Sequence, residues 1–225
     1  MKLFAFILIA VPVWAQMPLD LVVLAEESSL ASSALRAAHL DTLHAGDRVA
    51  FMTFRDKTVL RMGFVEDKRA MDHAFYGYKI RRNPKSTRLW DAVSEAAHLF
   101  TGPADPARQR TILVLFSQPN ESKRETPESV RRLLVRGDIS LSAMALTKPA
   151  AAHWVQVAPR TPPVYSPLAR RNLARPDDRT VEGVEQIAAV SHGAMIDAKD
   201  PAMMFAATRA ASATGSQRQS EERVQ

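Results

Sequence analysis

The chain has 225 residues, 46% of them hydrophobic and 24% charged, the make-up of one globular domain with a normal core. It has no cysteine, which excludes disulfides, thiolate metal sites and cysteine nucleophiles. A formal charge of +6 favours anionic partners without naming one.

The chain opens MKLFAFILIAVPVWAQ. Lys2 precedes an apolar run from Leu3 to Trp14, and Val13-Trp14-Ala15 offers a cleavage point before Gln16. This reads as a secretory signal over residues 1–15, with the mature chain starting near Gln16. The run is short for a bilayer span, so no stable transmembrane segment is expected after cleavage; an uncleaved anchor is the alternative. The expected location is a periplasm or the cell exterior.

Beyond Asp20, apolar runs alternate with helical patterns. Leu21–Ala25 reads as a buried strand, and Ser28–Leu43 as a helix closed at Gly46. Arg48–Phe54 and Val59–Met62 read as strands joined by a turn at Asp56-Lys57. Asp67–Tyr76 and Thr87–Phe100 have helical spacing. Thr111–Phe116, TILVLF, is apolar throughout, as a strand covered on both faces should be. Thr126-Pro127 caps a helix that closes at Gly137, and Ile139–Leu146 is the next strand. Arg136-Gly137-Asp138 spells an adhesion tripeptide, but its place between helix and strand makes Gly137 a helix cap.

Residues 148–178 hold six prolines and the arginines Arg170, Arg171 and Arg175, and read as a surface insertion. A helix near Val181–Ser191, a short strand at Ala194–Ile196 and a last helix capped by Asp200-Pro201 complete the domain, over residues 18–212. Residues 213–225 read as a flexible polar tail. The fold class is α/β: a doubly wound, mostly parallel central sheet flanked by helices. Ligands of such sheets bind beyond the C-terminal strand ends. That rule selects the loops after Ala25, before Thr87 and after Phe116.

At those loops the chain resembles the von Willebrand factor type A domain, in its bacterial exported branch. The likeness rests on the turn after Leu21–Ala25 and on Gly46-Asp47-Arg48-Val49-Ala50. It rests further on Ser86-Thr87-Arg88-Leu89-Trp90-Asp91-Ala92, Thr111–Ser117, and Ile187–Ala194 followed by Asp200-Pro201. The family often carries a metal-ion-dependent adhesion site made of Asp-x-Ser-x-Ser, a threonine and an aspartate. Mg²⁺ there takes a near-octahedral shell of hard oxygens. This chain departs from that pattern. It has Glu26-x-Ser28-x-Leu30 at the first loop and keeps Thr87, but shows Gln118 where the aspartate is expected.

The resemblance therefore implies a vestigial binding face of Glu26, Ser28, Thr87 and Gln118, no cofactor, and serines that cap the first helix. The alternative is an Mg²⁺- or Mn²⁺-dependent adhesion domain with Glu26, Ser28 and Thr87 as ligands, and with Glu27, Asn120 or Glu121 substituting. Lys79, Arg81, Arg82, Lys85 and Arg88 form a basic rim with Tyr76 and Tyr78 before it. It is either a solvated loop or a grip for an acidic protein face or anionic envelope component. Nucleic acid is not expected of an exported chain without a nucleic-acid motif. The six histidines, His39, His44, His73, His98, His153 and His192, are scattered, and no nucleophile elbow or phosphate loop occurs, so no enzyme is expected. The reading is an exported protein-interaction module.

Overall fold

A computed structural model describes residues 17–78, 86–100, 104–146 and 176–222. The signal segment, most of the basic rim and residues 148–175 of the proline-rich insertion lie outside them. Within the described residues five strands form one sheet: β1 Leu19–Glu26, β2 Arg48–Phe54, β3 Thr58–Val65, β4 Gln109–Phe116 and β5 Ile139–Ala145. Their spatial order is β3-β2-β1-β4-β5, and β2, β1, β4 and β5 run parallel while β3 turns back antiparallel. The helices are α1 Ser29–Ala37, α2 Lys68–Gly77, α3 Leu89–Ala97, α4 Pro127–Gly137, α5 Asp178–Val190 and α6 Met204–Glu222.

Every residue of β1 is buried. A central parallel strand has helices on both faces, so both sets of alternating side chains must be apolar. On one face Val22, Leu24, Ile112 and Val114 pack against α3, α4 and α5 through Trp90, Val93, Leu134 and Ile187. On the other, Leu21, Val23, Phe51 and Leu113 meet α1, α2 and α6 through Leu35, Phe75 and Phe205. Phe51 anchors that second core, edge-on to Phe75 at 5.0 Å and to Tyr78 at 5.9 Å. Burying such a ring contributes about 2–3 kcal/mol.

The lower edge of the sheet, where the parallel strands begin, is held by ion pairs. Asp20 takes Arg48 at 2.6 Å and Arg108 at 2.7 Å. Asp47 accepts the backbone amides of Leu19 at 2.9 Å and His44 at 2.8 Å, and also the Arg209 guanidinium.

Several element boundaries differ from the sequence expectation. α1 ends at Ala37 instead of Leu43. The His39 amide is drawn away to the Ala202 carbonyl, and Leu40–Thr42 forms a short 3₁₀ turn. α3 starts at Leu89, because Thr87 pairs with Asn120 in a β-bridge. The C-cap of α4 is Asp138 in the left-handed region (φ 52°), with Gly137 the last helical residue. Asp and Asn tolerate that region better than other side chains with a Cβ. Asp200 makes no side-chain cap; Pro201–Met203 is a 3₁₀ turn leading into α6. α6 continues to Glu222 through most of the segment read as a tail. α5 begins at Asp178 with Asp177 as its cap, so the insertion closes earlier than expected. The strand expected at Ala194–Ile196 is one bridge, Met195 to Ala143.

Candidate functional site

The upper edge of the sheet, at the C-terminal strand ends, gathers the three loops singled out by topology. Glu26 is the last residue of β1 and is fully buried. Its carboxylate turns across the sheet into the loop after β4. There it accepts the Ser117 amide, the Ser117 hydroxyl at 2.9 Å and the Gln118 amide at 3.1 Å. Burial pushes its pKa up to about 7, against the downward pull of those donors. The Glu26 backbone carbonyl is also used, by the Tyr78 hydroxyl at 2.9 Å.

The neighbouring residues are equally engaged. Ser28 is the N-cap of α1, its hydroxyl accepting the Ala31 amide at 3.2 Å. Glu27 leans outward to Arg61 at 3.0 Å and Thr53 at 3.2 Å. Leu30 packs against the α1–α2 core and supplies no ligand atom. Glu121 accepts the Ser86 hydroxyl at 2.6 Å. Asn120 uses its side-chain oxygen to cap α3, accepting the Leu89 amide at 2.9 Å.

That cap belongs to a clamp the sequence reading missed. α3 has Arg88 at its N-cap, which makes no side-chain cap bond. Instead the Ser122 hydroxyl accepts the Trp90 amide at 2.8 Å and the Asp91 amide at 3.2 Å. Asp91 answers from α3, its carboxylate accepting the amides of Glu125 at 2.9 Å and Arg124 at 3.1 Å. The second and third loops are thereby joined. The signal in the sequence was an absence: no Ser, Thr, Asp or Asn stands at the position that caps α3.

Thr87 and Gln118 lie in the same region, 2% and 6% exposed. The Thr87 hydroxyl and the Gln118 side-chain oxygen have no hydrogen-bond partner among the described residues. The Gln118 amide nitrogen donates to the Ser117 hydroxyl at 3.2 Å. The structure therefore brings Glu26 and Gln118 together through Ser117, and leaves Ser28 occupied with its helix. For a hard dication this donor set is poor. Its one carboxylate is held by three donors and has its pKa pushed up by burial to about 7, and a leucine stands at a ligand position. The two orphaned oxygens are the observation on the ion's side. No cluster of three or more His, Asp or Glu is placed to hold a metal among the described residues.

Of the basic rim, Arg88 is described: half-buried, with its amide donating to the Arg55 carbonyl at 2.9 Å. Lys79, Arg81, Arg82 and Lys85 lie outside the described residues. The residues flanking them, Tyr78 and Ser86, are both tied to the upper loops. Tyr76 turns away, donating to the Arg36 carbonyl at 3.3 Å. An open groove of about 730 Å³ runs along α2 between Leu40 and Gly77, and none of Glu26, Ser28, Thr87 or Gln118 lines it. No described helix is long and apolar enough to cross a membrane.

Comparison with solved structures defines the class. An aerotolerance-related membrane protein from Bacteroides fragilis superposes with a TM-score of 0.59 at 12% identity, over 87% of this chain and 98% of that one. A von Willebrand factor type A protein from Catenulispora acidiphila gives 0.58 at 16% identity, over 88% of this chain and 43% of that one. The conserved hypothetical protein BatB from Bacteroides thetaiotaomicron gives 0.53 at 12%, over 90% and 99%. The fold is that of a von Willebrand factor type A domain. No family profile and no curated protein matches the sequence.

Proposed function

We propose that this chain is an exported protein-interaction module of von Willebrand type A form, whose upper face works without a bound cation. The observation that carries this reading is the Glu26 carboxylate. It is fully buried and turned onto the amides of Ser117 and Gln118, so the carboxyl group that would hold an ion is engaged inside the domain. The partner is a protein or an anionic envelope component that meets the upper loops beside Arg88. Nucleic acid is not the partner, and no catalytic role is assigned. Export to a periplasm or the exterior follows from the signal-like residues 1–15. The fold likeness to a membrane protein of Bacteroides fragilis fits an envelope setting.

A second reading has its own observation. The orphaned oxygens of Thr87 and Gln118 would suit a Mg²⁺- or Mn²⁺-dependent adhesion site with Glu26, Ser28 and Thr87 as ligands. Thermal unfolding in millimolar Mg²⁺, Mn²⁺ or Ca²⁺ separates the two. An ion that binds the folded state stabilises it by about 2.7 kcal/mol at a hundred times its dissociation constant. The expected result is an unchanged Tm. A rise that disappears in Thr87→Val would overturn the metal-free reading.

A further inference from the structure

The groove along α2 stands apart from the upper loops, and its two ends differ in chemistry. Met71 and Phe75 turn into the second core, so Lys68, Arg69, Asp72, His73, Tyr76 and Gly77 recur at helical spacing on the outward side. The facing wall runs antiparallel to α2. The Tyr76 hydroxyl donates to the Arg36 carbonyl at 3.3 Å, the Lys68 ammonium donates to the Leu43 carbonyl at 2.8 Å, and Leu40 lies between these two contacts. At the start of α2 stand two cations, Lys68 and Arg69, and neither meets a carboxylate within ion-pair distance among the described residues. At the far end the Tyr76 ring is braced against α1 while the residue stays 54% exposed. Gly77 follows it although no packing asks for a glycine: a Cβ there meets nothing within 4 Å, and its backbone is not left-handed. Glycine weakens a helix relative to alanine, so its use at an open position fits a surface that another backbone approaches closely.

We propose that this groove is a second docking surface, which takes an extended acidic peptide. A carboxylate side chain of the guest sits at the Lys68–Arg69 end, and an apolar side chain lies on Leu40 and the Tyr76 ring. Charge complementarity fixes the polarity. The two unpaired cations and the positive end of the α2 dipole coincide at one end. Asp72, one turn further on, repels an acid placed in the middle, and its carboxylate can accept a backbone amide of the guest. From Arg69 to Tyr76 the helix rises about 10 Å, the reach of about three residues of extended chain. In a polyproline II segment residues three apart share a side, so an acidic residue and an apolar one at that spacing face α2 together. Open along its length, the groove suits a chain passing through more than an enclosed small molecule.

The test titrates the peptide Leu-Pro-Pro-Glu-Pro-Pro-Leu, blocked at both ends, into the isotope-labelled full-length chain and follows the backbone amide resonances. The peptide offers a leucine three positions from the glutamate in either direction. Saturable shifts are expected at Leu40 and along Lys68–Gly77. Replacing the peptide's glutamate by glutamine should raise the dissociation constant at least about fivefold, and so should the double variant Lys68→Ala, Arg69→Ala. Gly77→Leu adds bulk at the aromatic end, where a Cβ meets no atom of the body within 4 Å. It should leave Tm unchanged and weaken binding by at least about fivefold. No shift at millimolar peptide would overturn the proposal, and so would shifts confined to the upper loops. Equal affinity for the glutamine peptide, a comparison that leaves the protein untouched, would likewise refute an acidic guest.

Discussion

Glu26→Gln tests the upper face by its pH dependence. In the folded chain burial raises the Glu26 pKa from an ordinary 4.5 to about 7. Below about pH 4.5 the group is protonated in both states and costs nothing. Between there and about pH 7 the unfolded chain releases its proton while the folded chain keeps it, so stability falls as pH rises. At about 1.4 kcal/mol per pKa unit, the gap of some 2.5 units removes roughly 3 kcal/mol by about pH 8. Glutamine has nearly the same shape and no charge. Its carbonyl can accept the Ser117 and Gln118 amides, and its NH₂ can donate to the Ser117 hydroxyl. Urea unfolding of both proteins, followed by circular dichroism across that pH range, gives two curves whose difference isolates Glu26 from the other carboxylates. The variant should gain on the wild type by roughly 3 kcal/mol from the acid to the alkaline end. Parallel curves would refute the reasoning. A wild type that gains on the variant with rising pH would mean that the three donors outweigh burial and that the carboxylate is charged in the fold.

Gly193→Ala should be severe. A Cβ there would lie 1.8 Å from the Leu141 carbonyl oxygen and 2.3 Å from its carbon, both backbone atoms of β5 that cannot swing aside. A loss of at least about 3 kcal/mol is expected, read by calorimetry, and an unchanged Tm would contradict the packing. Ser122→Ala removes the acceptor for the first amides of α3, Trp90 and Asp91. It should cost about 1–2 kcal/mol and speed hydrogen exchange at those two amides, whereas exchange unchanged there would place the cap elsewhere.

The strands were legible because their physics is local. TILVLF and LVVLA are apolar without alternation, and a strand covered on both faces permits nothing else. Ser28 was legible as a cap for the same reason, since the amide it serves is three residues on. The rest depends on distant neighbours. Glu26 meets Ser117 across 91 positions, and no spacing rule announces that pair. Glu26 stands where the resemblance expects the aspartate of the first loop, and its carboxylate reaches instead into the loop after β4. α1 stops at Ala37 because the Ala38 amide tightens back onto Leu35 and the His39 amide is taken by the Ala202 carbonyl, although Leu40 and Leu43 keep a helical spacing. Pattern reports which side chains want burial; it does not report where a backbone amide finds its acceptor.

The two margins of the sheet are finished in different ways, and this bears on whether the molecules stay apart. Beside β5 the chain returns. Ala143 exchanges hydrogen bonds with Ala194 and Ile196, and the Leu141 amide donates to the Ser191 hydroxyl. Beside β3 no further strand pairs among the described residues, and Leu60 stands 49% exposed. There the pairing with β2 is interrupted twice, between Val49 and Phe51 and between Phe51 and Met52. Such irregularities twist an open strand and break the even row of donors and acceptors that a second strand would need. Among the described residues, then, one border is partly occupied by the returning chain and the other is left irregular, which leaves neither of them a regular row of free donors and acceptors for another molecule's strand.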